Sequence, residues 1–432
     1  MPGQRRFPYF GLKRFCRPAT VAVAGVAVAL LAVHPAAAKK KDEVFTPRMA
    51  ISLPNGQKIA SFDIGWTDPL TGGYYLADRT NAVVDAVVMK TGQVAVQFKA
   101  NFAGAGPTPD TSGPNGVLTI DNVKANTYQL WVGDYGTGSN GGTGGLLKVI
   151  DLTDGNLLAT IATGGTKRAD ELCYDPKDGL VMIANDAEAL PPTGPGPYLS
   201  LISTSGSNQY KVVGQIFMNG KSPAPLATNG IEQCQYSSRT GMFYVNIPEV
   251  NGPGDDTNPG AVLVISPKTM SIVKTYNIDH TLCEGPQGMV LGPDDQILLG
   301  CNDPLKNVPS TIIISARTGK TIAVLPNEDG ADEVWYNPGD GHYFLGNSGG
   351  ANPQHLGIVD ALTGSGDNSP VTGLPGKGGA HSVAADPITL KVFVPIPSTA
   401  GAGACSAVGG DDSVGCILVY KAKASKHEVE GE

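Results

Sequence analysis

Glu171, Glu232 and Glu333 are the residues whose type and spacing could do chemistry. Each opens a segment that an Asn closes fourteen residues later: ELCYDPKDGLVMIAN at 171–185, EQCQYSSRTGMFYVN at 232–246 and EVWYNPGDGHYFLGN at 333–347. His381 opens a related segment, HSVAADPITLKVFVPI. Carboxylates gathered with an imidazole can hold Ca2+ or another hard cation through oxygen. They can also raise one another's pKa until one serves as a general base. His381 and Glu333 are therefore the catalytic candidates. Glu171, Glu232, Glu333, His381 and Arg168 are candidates for ligand contact, and Asp170, Asp332, His280, Glu284, Gln287 and Lys167 lie nearby in the same frame. Trp335, two residues past its Glu, could stack on a ligand ring or simply pack in a channel. The competing reading of the carboxylates is a solvated rim, or ion pairs to Arg168 and Arg79.

The elements that must position these residues follow from the same frame. Gly288–Asn302 keeps it without the Glu, and Ile64–Asp78 and Ile120–Asp134 keep it with a closing Asp. Anchors at 64, 120, 171, 232, 288, 333 and about 382 recur every 45 to 61 residues. Such a period marks one supersecondary unit repeated. Each unit reads as four β-rich runs separated by Pro, Asp and Gly turns, such as Leu180–Ala184, Ala261–Ile265 and Thr321–Leu325. The predicted fold is all-β: a seven-bladed β-propeller of four-stranded blades. The last blade runs out of chain after Tyr420, so an N-terminal run at Met49–Leu53 is expected to close the ring and hide its edges. In a propeller the first strand of each blade lines the channel, so the four anchor residues converge on one mouth. Asp78, Asp134, Asn185, Asn246, Asn302 and Asn347 close the second runs and are expected to cap turns.

Composition sets the compartment. Residues 1–38 carry five basic residues, an apolar run at 19–33 and Ala36-Ala37-Ala38, the pattern of a cleaved signal peptide. The propeller is expected over 39–420 and a disordered charged tail over 421–432. Without the leader, 26 Lys and Arg face 39 Asp and Glu, a net charge of −13. Nucleic acid, whose phosphates need a basic surface, is excluded as a partner. No transmembrane span is expected after cleavage. Six Cys remain, and an even number in an exported chain reads as disulfides. Fifteen connectivities are open; the frame favours Cys173 with Cys234, Cys283 with Cys301 and Cys405 with Cys416. Gly346-Asn347-Ser348-Gly349-Gly350 fits a nucleophile elbow by letter, but no helix follows it.

The closing Ile183-Ala184-Asn185 and Val245-Asn246, with Val149-Ile150-Asp151-Leu152-Thr153-Asp154-Gly155, resemble the repeats of YVTN-type bacterial β-propellers, the YncE-like superfamily. That likeness covers most of the mature chain and implies an exported seven-bladed ring, periplasmic or secreted. A weaker likeness links the Glu register to gluconolactonase-like propellers, which hold a divalent metal with Glu, Asn and Asp. It implies Glu171, Glu232 and Glu333 as metal ligands, with Ca2+ or another divalent cation as cofactor. The leading expectation is a monomeric binding module whose acidic mouth takes a small molecule, a cation or a protein. The alternative is a metal-dependent hydrolase of lactonase or esterase type.

Overall fold

Asp175 shows how one repeat folds. It ends an inner strand, and its carboxylate accepts the N–H of Lys177 at 2.8 Å. Asp68, Asn337 and Asp386 do the same for Leu70, Gly339 and Ile388. A side chain bonded to backbone two residues on substitutes for a turn hydrogen bond. Gly179 then takes φ +65°, a conformation that a Cβ disfavours, and the chain returns as the second strand. That strand, Leu180–Asn185, is buried at every residue because neighbouring blades cover both its faces. The fourth strands lie at the rim; Gln93–Phe98 is exposed or partly covered at every position except the buried Phe98.

The computed structural model describes residues 45–302, 311–326, 328, 331–347, 355–362, 366–370, 381–400 and 403–422. The expected leader, residues 39–44, the Asn347 side chain and residues 423–432 of the expected tail lie outside that set. Seven antiparallel sheets of four strands form the β-propeller. The inner strands are Gly65–Asp68, Val117–Asn122, Leu172–Asp175, Cys234–Ser237, Pro286–Leu291, Ala331–Asn337 and Ala384–Ala385, here blades 1 to 7. Among the described residues no helix is long and apolar enough to cross a membrane.

The seventh blade takes its outermost strand, Phe45–Ile51, from the start of the described chain. Phe45 faces Ala422 and Ile51 faces Ile417. Ring closure by an N-terminal strand therefore holds, with the strand beginning four residues before Met49. One boundary moves: Lys421 and Ala422, expected in the tail, belong to Cys416–Ala422. Backbone pairing with Thr46 and Phe45 holds them in the sheet despite their charged and small side chains.

Apolar side chains fill the spaces between blades. Met182, Leu201, Phe243 and Leu263 pack between blades 3 and 4, and Tyr74 stacks on Phe393 at 4.7 Å between blades 1 and 7. Three disulfides are present in the pairing the frame favoured: Cys173–Cys234, Cys283–Cys301 and Cys405–Cys416. The first ties the inner strands of blades 3 and 4.

Candidate functional site

The repeat delivers its polar residues by position. The residue before the anchor is Asp63 in blade 1, Asp170 in blade 3 and Asp332 in blade 6. The anchor is Glu171, Glu232 or Glu333. Arg79 and Asp186 follow the residues that close the frame, Asp78 and Asn185. Inner strands start, and second strands end, on one face of the ring. All these side chains therefore meet at one channel mouth.

Ion pairs stitch that mouth across blades. Arg79 pairs with Asp63 and donates to Asn115 at 2.8 and 3.0 Å. Arg168 lies 2.6 Å from Asp170, 3.2 Å from Asp186 and 3.8 Å from Asp63. His381 shares a proton with Asp332 at 2.8 Å, and its other nitrogen is 3.7 Å from Asp63. Burial disfavours the His381 cation, but the Asp332 bond and charge outweigh it and raise the imidazole above its usual range. Asp332 is lowered in turn: burial opposes its charge, and His381 more than compensates. Seven carboxyl groups (Asp63, Asp170, Glu171, Asp186, Glu232, Asp332 and Glu333) here meet two guanidinium groups and one imidazole. Acid is in excess, and excess buried acid takes up protons.

Below the ion pairs, Glu171 from blade 3 and Glu333 from blade 6 reach across the channel to hydrogen-bonding distance of each other. Burial pushes both carboxyl groups well up, and for Glu171 the Glu333 charge adds to it. Two carboxylates this close cannot both ionise cheaply, so at least one of the pair stays protonated. Gln233 of blade 4 fixes the arrangement. Its amide donates to Glu333, and its carbonyl accepts the Met289 N–H of blade 5 at 2.6 Å.

The same pair forms one end of a channel cavity of about 200 Å3. Trp66, Trp335, Tyr336, Val290 and Leu291 line the rest. The two indoles meet edge to face, 5.1 Å between ring centres. Trp66 also donates to Thr119 at 3.1 Å, which holds its ring.

The structure thus gathers Glu171, Glu232, Glu333, His381 and Arg168 at the mouth and sets Trp335 beneath them. It does not assemble the metal set. Among the described residues, no three His, Cys, Asp or Glu are grouped to hold a metal ion. Glu171 and Glu333 meet each other, while Glu232 is pushed up by burial and by the Asp332, Asp186 and Asp170 charges. These residues do not fit the divalent cation, and no reaction step is derived through one. His280 and Glu284 pair with each other at 3.4 Å. Asn246 is a tie between blades rather than a turn cap, because its amide donates to the Gln287 and Gly288 carbonyls at 2.9 and 3.0 Å. Sequence reasoning missed Asp63, Asp186, Gln233 and Trp66. The frame held the signal: Asp63 stands where Asp170 and Asp332 stand, and Trp66 where Trp335 stands.

A second acid pair stands where the inner strands of blades 1 and 2 end. Asp121 of blade 2 faces Asp68 of blade 1, whose oxygens accept from Leu70 and Thr71. Burial and the Asp68 charge push Asp121 up to about 7. A folded-state pKa above the unfolded value of about 3.9 stabilises at low pH, and that stability is lost as pH rises through about 7. Because Asp121 is only half-buried, solvent screening reduces the expected loss to about 1 kcal/mol between pH 5 and pH 8. Urea unfolding of Asp121→Asn beside the parent at both pH values checks it. The variant should lack this part of the pH dependence; an unchanged difference between the two proteins contradicts the shared proton.

Fold and channel together define a seven-bladed β-propeller with a plugged, acid-rich channel. Among solved structures, the chain is similar to the RRP9 WD40 repeats at 10% identity and TM-score 0.58, covering 88% of this chain and 100% of that one. A chain of the mitotic checkpoint complex is similar at 12% identity and TM-score 0.55, over 92% and 99%. A chain of the Kuenenia stuttgartiensis hydrazine synthase is similar at 13% and 0.57, over 81% and 96%. At these identities the likeness is of fold alone. No protein-family model and no curated sequence matches the chain.

Proposed function

We propose that this chain is an exported binding propeller whose channel takes a small ligand beneath the mouth. One observation carries the reading: the cavity joins a polar end, Glu171, Glu333 and Gln233, to an aromatic end, Trp66, Trp335 and Tyr336. Binding cavities are mostly apolar with a few convergent polar groups. The polar groups are inside the channel, so a small molecule suits them better than a protein surface. Three disulfides and the leader-like start support export, as does the motif likeness to YVTN-type propellers.

A thermal-shift screen of small cationic, neutral and anionic compounds tests the reading, with Trp335→Leu run beside the parent. A compound present at 100 times its Kd should stabilise the parent by about 2.7 kcal/mol and leave the variant nearly unmoved. Equal response of both proteins, or no response to any compound, overturns it.

A further inference from the structure

We propose that the channel cavity selects a small organic ammonium ion: the charged nitrogen bonds the Glu171–Glu333 carboxyl pair and the apolar body lies against Trp66 and Trp335. This rests on the ligand-binding reading and names the class of ligand.

Acidic side chains line the cavity at one end only. There the Glu171 and Glu333 carboxyl groups lie within hydrogen-bonding distance of each other, largely buried and facing the cavity. Gln233 supplies an N–H to Glu333 but no positive charge. The guanidinium groups of Arg79 and Arg168 are engaged with Asp63, Asp170 and Asp186 in the layer above. An anion at this end would find no cation to pair with, and a neutral molecule would form no ion pair. An ammonium group favours the ionised form of a carboxyl group beside it and brings the N–H donors that carboxylate oxygens accept.

The other end explains why the cation is organic. Indole faces attract cations and pack alkyl groups. Val290 and Leu291 extend that apolar wall. A hard metal ion wants six or more oxygens, and aromatic carbons replace them here. The volume of about 200 Å3 limits the guest to a short-chain amine.

The test is calorimetric titration of the full chain with n-butylammonium, against 1-butanol, butyrate and Ca2+. The ammonium should bind one per chain, at least tenfold tighter than the alcohol. Glu171→Gln or Glu333→Gln alone should keep binding within about threefold, because one carboxylate remains either way. The double Glu171→Gln/Glu333→Gln variant removes both acids and should lose at least tenfold. Either single variant also reports whether the plug tolerates an amide, so a folding failure of the double variant is recognisable, and Trp335→Leu then serves as the second probe of the site.

Three outcomes overturn the inference: butanol or butyrate binding as tightly as the ammonium, Ca2+ binding in its place, or unchanged ammonium affinity in the double variant. If butanol or butyrate binds and the ammonium does not, the inference fails and the small-ligand reading stands. If no compound of any charge binds, both fail.

Discussion

Arg168→Met is expected to destabilise the propeller by about 3 to 5 kcal/mol at pH 8, because it leaves buried carboxylates without their cation. Asp170, Asp186 and Asp63 surround this one guanidinium at 2.6, 3.2 and 3.8 Å. Methionine matches the length of the stem and keeps its packing, so the charge is what is lost. Each carboxylate must then stay ionised without a partner or take a proton. Burial already pushes Asp170 up against the pull of Arg168; without that pull it rises further. A raised folded-state pKa favours the folded protein at low pH, so acidification should shrink the deficit. Urea unfolding at pH 8 and pH 5 measures it. A deficit equal at both pH values would mean that packing, and not charge, was lost.

Lys148→Met should cost a similar 3 to 5 kcal/mol, from a different place. Lys148 is fully buried in the third strand of blade 2. Its ammonium lies 2.9 Å from Asp134, donates to the Ala100 carbonyl at 2.8 Å and to that of Asn101, and sits 4.9 Å from the centre of the Phe102 ring. One side chain therefore neutralises a buried acid and pins the start of the loop entering blade 2. Its loss strands Asp134, whose other contacts include the Ala103 and Tyr135 N–H groups and the Asn140 amide. Lys148→Met/Asp134→Asn should recover part of the stability by removing the stranded charge. Urea unfolding of the three proteins settles the point: a double variant no better than the single would locate the loss in the carbonyl bonds.

The two residues differ in how visible they were beforehand. Arg168 precedes an anchor by three residues, and the frame placed it at the mouth. Lys148 sits in LLKVID, a single lysine with two apolar residues on either side. Nothing local to that strand reveals that Asp134 and the carbonyls of the preceding loop enclose it. The architecture was legible because turn chemistry and strand burial are local and recur: Asp175 and Asn337 make the same bond in the same register. The ring of charges was legible in part for the same reason. The Glu171–Glu333 contact was not, because it depends on which blades face each other across the channel, a property of the closed ring. The three Glu residues show the same limit: equal register around a ring does not mean equal reach, and Glu171 and Glu333 join while Glu232 does not join them.

Closure of the seventh blade has a consequence for how the molecule comes into being. Blades 1 to 6 are each built from consecutive strands, so each assembles from neighbours in the chain. The last sheet instead needs Thr46 beside Lys421. Bringing together ends separated by that much flexible chain carries an entropic cost of about 5 kcal/mol if nothing has folded between them. Six finished blades remove most of it by holding the two ends near one seam. The seam should therefore zip last, after the whole chain is present in one compartment. A chain paused during synthesis would be a string of folded leaves with two open edges, vulnerable to pairing with another copy until Cys416–Ala422 arrives.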